Sequence, residues 1–359
     1  MKVVIRVDAS LKIGTGHVMR CLTLAQALKD SGSEVCFICR LHQGNLIKTI
    51  QQLNFDVHAL ELSEQIEKLN VSAVQLDHAE WLGVSQTQDA EECKPILMQI
   101  NPDWLIVDHY AIDQTWQSAL KGCFQQLMVI DDLTDRVHVA DLLLNQNYGT
   151  IPEDYHALVN QKCRLLVGCY YALLREEFAQ WRQTSLTRRQ APILQHLLIT
   201  LGGADVDNVT GGILAQLTKL HLPDVRAVMV VMGANAPHLE TVQAQAASLP
   251  WPTEVRVNVT NMAELMTQAD LAIGAAGATT WERCCLGLPT IQLVIALNQE
   301  RVAARLEQDG IVKTINHPQD LEQVISNAVD WMPKLSHLSA SICDGRGCER
   351  VVQAMYSFN

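Results

Sequence analysis

At 359 residues the chain is too long for one small core and has the length of two ordinary domains. With 48% hydrophobic and 18% charged residues it can bury a large apolar interior, which excludes a disordered chain. A formal net charge of −12 excludes a general attraction to nucleic acid or to an anionic membrane, so an anionic ligand needs a local, oriented site.

The chain opens on a predicted strand over 3–9, interrupted by Arg6 and Asp8. No apolar stretch with a cleavage site follows it, and no apolar run reaches the roughly 18 residues that span a bilayer. The expectation is a cytoplasmic protein, compatible with a monomer, with neither a membrane nor a nucleic acid as partner. Further strands are predicted over 34–39, 57–60, 71–76, 104–108, 127–131 and 141–145, with helices near 17–29, 45–53, 90–100 and 114–120. Residues 77–92 are polar and read as a surface insertion. A charged helix over 173–187 comes next. The alternation then restarts at 196–201 and continues through 227–232, 254–257, 271–274, 290–295 and 311–314. A β/α rhythm that stops and restarts predicts an α/β chain of two Rossmann-like parallel-sheet domains, 1–168 and 169–359. Eleven cysteines, an odd number without metal-type spacing, read as free thiols packed as small apolar groups. No metal and no cofactor are expected.

In doubly wound sheets ligands sit beyond the carboxyl ends of the strands, so chemistry is sought just after each strand and, for two facing domains, in the cleft between them. After the first strand stands Gly14-Thr15-Gly16-His17-Val18-Met19-Arg20. Gly14 and Gly16 let the backbone turn and approach a ligand, and the helix that follows aims free N–H groups at an anion. His17 can take or give a proton near neutrality, or merely cap and pack. A third glycine and an acid ending the second strand are both missing, which disfavours a dinucleotide-binding enzyme. Asp108-His109-Tyr110 and Asp131-Asp132 end two later strands. Those carboxylates could be acid/base groups or magnesium ligands, and could equally be loop caps. Asn145, Asn147 and Tyr148 follow the strand over 141–145 and could line the wall of a site.

In the second half, Gly274-Ala275-Ala276-Gly277-Ala278-Thr279-Thr280-Trp281-Glu282 follows a strand and opens a helix. Such a loop cradles a pyrophosphate through backbone N–H groups, with Thr279 and Thr280 adding hydroxyls. Glu282, one turn in, could accept both hydroxyls of a ribose or only complement the helix dipole. Gly202-Gly203-Ala204-Asp205 is a weaker oriented-amide site. Asn298, before Gln299, could orient water or a sugar hydroxyl, or simply cap the next helix.

Together these segments, with Leu144-Asn145-Gln146-Asn147, Tyr171-Ala172-Leu173-Leu174-Arg175-Glu176-Glu177-Phe178 and Leu297-Asn298-Gln299, resemble the UDP-2,4-diacetamido-2,4,6-trideoxy-β-L-altropyranose hydrolase family of pseudaminic acid biosynthesis. The match runs over nearly the whole chain, and its motifs are specific in combination. The resemblance implies a GT-B-type fold, related to the glycosyltransferase that adds N-acetylglucosamine to the peptidoglycan precursor. It implies cleavage of a UDP-sugar by water at the C1–oxygen bond, with inversion and without a metal. The catalytic histidine carries onto His17, the cleft tyrosine onto Tyr110, and the asparagine before glutamine onto Asn298. Contacts to uridine and phosphate carry onto Gly277, Ala278, Thr279, Thr280 and Glu282. Gly14, Thr15, Gly16, Arg20, Asp108, Asn145, Asn147, Gly202, Gly203 and Gln299 complete the expected substrate-binding set. The polar stretch 77–92 departs from the compact family pattern close to Tyr110.

A UDP leaving group already departs readily, so the reaction needs no carboxylate pair of glycosidase type. Two rivals remain: a glycosyltransferase that passes the sugar to an acceptor hydroxyl, and a non-catalytic nucleotide-sugar sensor.

Overall fold

The computed structural model describes residues 1–62, 76–191, 193–203, 205–296 and 299–358. Contacts gather into two compact units, Met1–Leu173 with Gly347–Asn359, and Leu174–Arg346.

The first unit comprises β1 (Lys2–Val7), α1 (Gly16–Asp30), β2 (Glu34–Arg40), α2 (Ile47–Gln52), β3 (Asp56–Leu60), α3 (Gln86–Ile100), β4 (Trp104–Asp108), α4 (Gln114–Ala119), β5 (Gln126–Ile130), β6 (Leu142–Asn145) and β7 (Arg164–Val167). Its strands lie in the order β3-β2-β1-β4-β5-β6-β7, and each described pairing is parallel. Parallel strands are covered on both faces, which is why β4 and β6 are buried along their whole length and read as unbroken apolar runs. Helix α1 buries Val18, Cys21, Leu22, Ala25 and Leu28, the spacing of one helical face, against the sheet. Helix α3 and α4 cover the other face around Trp116, Leu97 and Val107.

The second unit begins with α5 (Glu176–Arg188) and continues through β8 (His196–Thr200), α6 (Val209–Leu217), β9 (Ala227–Met232), α7 (Leu239–Ala246), β10 (Thr253–Val257), α8 (Met262–Gln268), β11 (Leu271–Ala275), α9 (Thr279–Cys285), β12 (Thr290–Leu293), α10 (Glu300–Gln308), β13 (Lys313–Ile315), α11 (Leu321–Ile325) and α12 (Ala328–Ile342). Its order, β10-β9-β8-β11-β12-β13, repeats the pattern of the first sheet. In both, the order reverses beside the first strand: between β1 and β4, and between β8 and β11. At such a reversal the two flanking loops leave in opposite directions and open a crevice at the strands' carboxyl ends.

The charged passage is the expected helix, and arginines of α5 and of its C-terminal end satisfy carbonyl groups within its unit. Arg182 donates to the carbonyls of Cys285, Cys343 and Ala340, and Arg189 to those of Met266, Ala269 and Leu286. Several expectations change. The second unit does not run to the end of the chain. Helix α13 (Gly347–Tyr356) returns to the first unit, where Val351, Val352 and Met355 join the core beside α1. Truncating Met355 to alanine is expected to cost about 2–5 kcal/mol. Strand β7 was not anticipated, while the strand expected over 71–76 lies almost wholly outside the described residues. Residues 77–92 are no surface insertion: Leu82, Asp89 and Ala90 are buried, and Ser85 caps α3 through its side chain.

All eleven cysteines are free thiols, nine of them buried. No described helix is long and apolar enough to cross a membrane.

Candidate active site

At the crevice of the first unit, the chain leaves β1 through a tight loop. Gly14 takes φ +78° and its N–H reaches the carbonyl of Ser10 at 2.9 Å. Gly16 has nothing within 4 Å of where a Cβ would stand, so the backbone at the start of α1 is open to a visitor. Thr15 caps α1 without a side-chain bond.

One residue into α1, His17 Nδ1 lies 2.7 Å from Asp108 Oδ1 at the end of β4. A carboxylate only accepts, so Nδ1 carries a proton, and in the neutral ring the lone pair stands on Nε2. Arg20 Nη2 approaches the same nitrogen at 3.2 Å but donates to Asp108 Oδ1 at 2.6 Å. Nε2 has no partner among the described residues and is not sealed from solvent, although the residue as a whole is only 9% exposed. A ring held by a carboxylate on one nitrogen and free on the other has the arrangement of a general base.

Arg20, one turn after His17, ties the site together. Its Nε donates to Asp108 Oδ2 at 2.6 Å and its Nη1 to Asp132 Oδ2 at 2.6 Å. Burial opposes ionisation of Asp108, yet the Arg20 guanidinium and His17 overcome it and hold the acid far below the usual carboxylate range. Tyr110 donates its hydroxyl to the same Asp132 Oδ2 at 2.9 Å, and its ring meets the edge of His17 with centroids 4.6 Å apart. Asn147 Nδ2 reaches the Asp132 carbonyl at 3.2 Å. His17, Arg20, Asp108, Tyr110 and Asn147 are therefore gathered in one place. Asn145 stands behind them, wholly buried, giving its N–H to Tyr155 Oη and accepting from the Asn147 backbone. Asp131 accepts from Tyr155 at 2.7 Å and pairs with Arg136 at 3.0 Å.

Sequence reading missed a second layer below this one. Arg6 and Arg40, both fully buried, meet Asp89 of α3 at 2.7 Å each, and Trp116 Nε1 donates to Asp89 at 2.8 Å. Asp8 pairs with Arg6 at 2.7 Å and faces His109 Nε2 at 3.3 Å. His109 Nδ1 accepts from the Ala111 N–H, so its Nε2 holds the proton, near Asp8 but without a hydrogen bond to it. That tautomer leaves neither ring nitrogen a free lone pair for a metal, and no described group of three acids, histidines or cysteines is placed to hold one. The signal was present: charged residues inside apolar strands are kept only where something pairs them. Held by this lattice, the segment before α3 lays Trp81 against Tyr110 in a stack with centroids 5.5 Å apart, and His78 against Trp81 at 4.3 Å.

In the second unit the loops after β8 and β11 form the corresponding crevice. Gly202 takes φ +97°, and Asp205 accepts from the N–H groups of Val209 and Thr210, which makes it the anchor of α6 rather than a free acid. Past β11, the loop through Ala276, Gly277 and Ala278 runs into Thr279 and Thr280 at the start of α9. Both hydroxyls accept from Arg283 at 3.0 Å, a contact the sequence reading did not anticipate. Glu282 lies 3.9 Å from Arg175, and burial pushes its carboxyl up to about 7. Gln299 accepts from the Ile295 N–H, and its amide nitrogen stands close to Gly277. Asn298, with Leu297 and Ala204, lies outside the described residues.

With this geometry in view, residues 196–336 match the glycosyltransferase family 28 C-terminal domain. The chain is 26% identical, over 311 residues, to UDP-2,4-diacetamido-2,4,6-trideoxy-beta-L-altropyranose hydrolase of Campylobacter jejuni, spanning 86% of this chain and 97% of the relative. It is 28% identical, over 176 residues, to spore coat polysaccharide biosynthesis protein SpsG of Bacillus subtilis, spanning 48% of this chain and 50% of the other. Among solved structures, Acinetobacter baumannii MurG aligns with a TM-score of 0.71 at 16% identity, over 99% of both chains. Spinosyn rhamnosyltransferase SpnG, complexed with spinosyn aglycone, aligns at 0.64 and 16% identity, over 98% of this chain and 100% of that one. The fold is GT-B, two parallel α/β sheets.

Proposed function

We propose that the chain is a UDP-sugar hydrolase, with the second unit taking the uridine diphosphate and His17 of the first activating water. The observation that carries this reading is the His17–Asp108 pair: a buried carboxylate at 2.7 Å fixes the ring so that Nε2 is the nitrogen left to accept a proton. Water attacks C1 of the sugar and gives a proton to Nε2. The C1–oxygen bond breaks, and UDP leaves with the electron pair. Attack opposite the leaving group inverts C1. Asp108 stabilises the imidazolium that forms, and Arg20 keeps Asp108 ionised and in place. Tyr110, its own hydroxyl engaged with Asp132, presents a ring beside His17 that orients the sugar. Because the Campylobacter relative is named for it, UDP-2,4-diacetamido-2,4,6-trideoxy-β-L-altropyranose is the first substrate to try.

A second reading has a specific observation behind it. The family 28 domain match fits a transferase that moves the sugar to an acceptor hydroxyl. One experiment separates the two. The protein is incubated with the UDP-sugar in ¹⁸O-labelled water and no acceptor, in the presence of a chelator. Many turnovers with the label in the sugar and none in UDP support hydrolysis at C1; no turnover until an acceptor is added supports transfer. His17→Ala should lower kcat by about 10²–10⁴-fold, the usual worth of a positioned base, while UDP binding stays unchanged.

A further inference from the structure

Three charged side chains of the second unit are nearly sealed from solvent. Asp205 satisfies the start of α6, and Asp270 pairs with Arg188 at 2.6 Å. Arg283 is different. It is 1% exposed, and among the described residues no carboxylate forms an ion pair with it. Its Nη2 donates to the Ala275 carbonyl at 2.7 Å and to Thr280 Oγ1 at 3.0 Å, its Nη1 donates to Thr279 Oγ1 at 3.0 Å, and its Nε has no partner. Glu282, next to it in sequence, turns to Arg175 instead. A buried cation held only by neutral oxygens is costly to keep, and an anion brought to it recovers part of that cost. Burial does press on it, pulling it down to about 10, which still leaves it charged at neutral pH.

The loop is built around this side chain. Gly274 has ordinary backbone angles, yet a Cβ there would stand 2.5 Å from Arg283 Nη1. Glycine at 274 is therefore explained by the room the guanidinium takes. Having accepted from Arg283, each threonine hydroxyl still has its own proton to give, and no bond from either to a further acceptor is present among the described residues. Charge and two oriented donors thus meet at one loop.

We propose that Arg283 is the fixed counter-charge for the diphosphate of the bound nucleotide, acting as a positioning residue that turns the hydroxyls of Thr279 and Thr280 toward the phosphate oxygens. This rests on the reading that the second unit takes UDP. The charge is needed twice, to bind the diphosphate and to stabilise the extra negative charge that UDP gains as it leaves C1.

The test compares UDP with uridine on the full-length protein by calorimetry, for the wild type, Arg283→Met and Arg283→Lys. The expected wild type binds UDP more tightly than uridine. Arg283→Met should weaken UDP by roughly 10- to 100-fold, the usual scale for lost charge-assisted bonds, and leave uridine unchanged. Arg283→Lys should recover part of the loss. Gly274→Ala, which crowds the guanidinium, should shift the UDP-to-uridine ratio in the same direction as Arg283→Met. If Arg283→Met keeps the wild-type ratio, or weakens uridine as much as UDP, the residue only holds the loop and the proposal is overturned. A wild type with no preference for UDP over uridine would instead remove the nucleotide assignment on which it rests.

Discussion

The two crevices stand at the same point of the same topology, yet their charges are arranged in opposite senses. In the first unit every buried cation faces a carboxylate, and around His17 two carboxylates, Asp108 and Asp132, share one guanidinium, Arg20. That leaves negative charge in excess, which a proton on His17 would cancel. In the second unit Arg283 has no carboxylate in contact among the described residues, and the neighbouring Glu282 is pushed toward its neutral form. That leaves positive charge in excess, which an anion would cancel. On the proposed reading one sheet end receives a proton and the other a phosphate, two tasks set by the residues that follow the strands of one topology.

The sharpest way to break this comparison is at Asp108. Asp108→Asn preserves shape but removes the charge and offers an amide donor to a nitrogen that must itself donate. The ring should then settle in the wrong tautomer, and kcat should fall toward 10⁴-fold, as it does where a histidine–aspartate pair is treated in this way. UDP affinity should not move. A loss confined to KM would show that the His17–Asp108 pair binds substrate rather than moving a proton.

Stability offers a second contrast. Asp89 is the shared counter-ion of Arg6 and Arg40, and each is fully buried. Asp89→Ala leaves Arg6 with Asp8 alone and Arg40 with Glu92 alone, and should cost about 3–5 kcal/mol in chemical denaturation, the usual penalty for breaking a buried pair. Arg283→Met strands no opposite charge and should cost distinctly less. Equal penalties would mean that Arg283 has a hidden carboxylate partner. In the first unit Asp8, Asp89, Asp108 and Asp131 all titrate below their ordinary range, held there by arginines and histidines. Their stabilisation is full above the unfolded value near 4 and is lost as the pH falls through their folded values. The transition of the first unit should therefore move down on acidification below pH 4.

How much of this was legible in the sequence follows from how local each signal is. Unbroken apolar runs revealed most strands, because a parallel strand is apolar along its whole length. Gly14 to Arg20 and Gly274 to Glu282 stood out because glycine and small residues after a strand have few other uses. Asp108 was placed beside the site, yet its bond to His17 joins positions 91 residues apart and depends on the β1–β4 pairing. Helix α13 was assigned to the wrong unit for a similar reason, since nothing in its own periodicity says which core it completes. The segment 77–92 misled more deeply. Its polar residues were taken for a solvated loop, whereas Asp89 is polar because two arginines inside the core require it.

The mildest contrast concerns Glu282, whose shift opposes those of the first unit. Burial raises it from 4.5 to about 7, so keeping it ionised in the folded state has a cost that grows as the pH rises from the unfolded value through the folded one. Acidification from pH 8 to 5 should then steady the second unit by a little, in a range where the carboxylates of the first are indifferent. Binding should run the other way. If the carboxylate accepts the ribose hydroxyls it must be ionised, so UDP affinity should rise by up to about tenfold per pH unit below 7 and level off above it. Glu282→Gln should flatten both profiles, measured by calorimetric unfolding and by titration with UDP. A wild-type affinity that does not change between pH 5.5 and 7 would remove Glu282 from the ribose and leave it a helix-start acid facing Arg175.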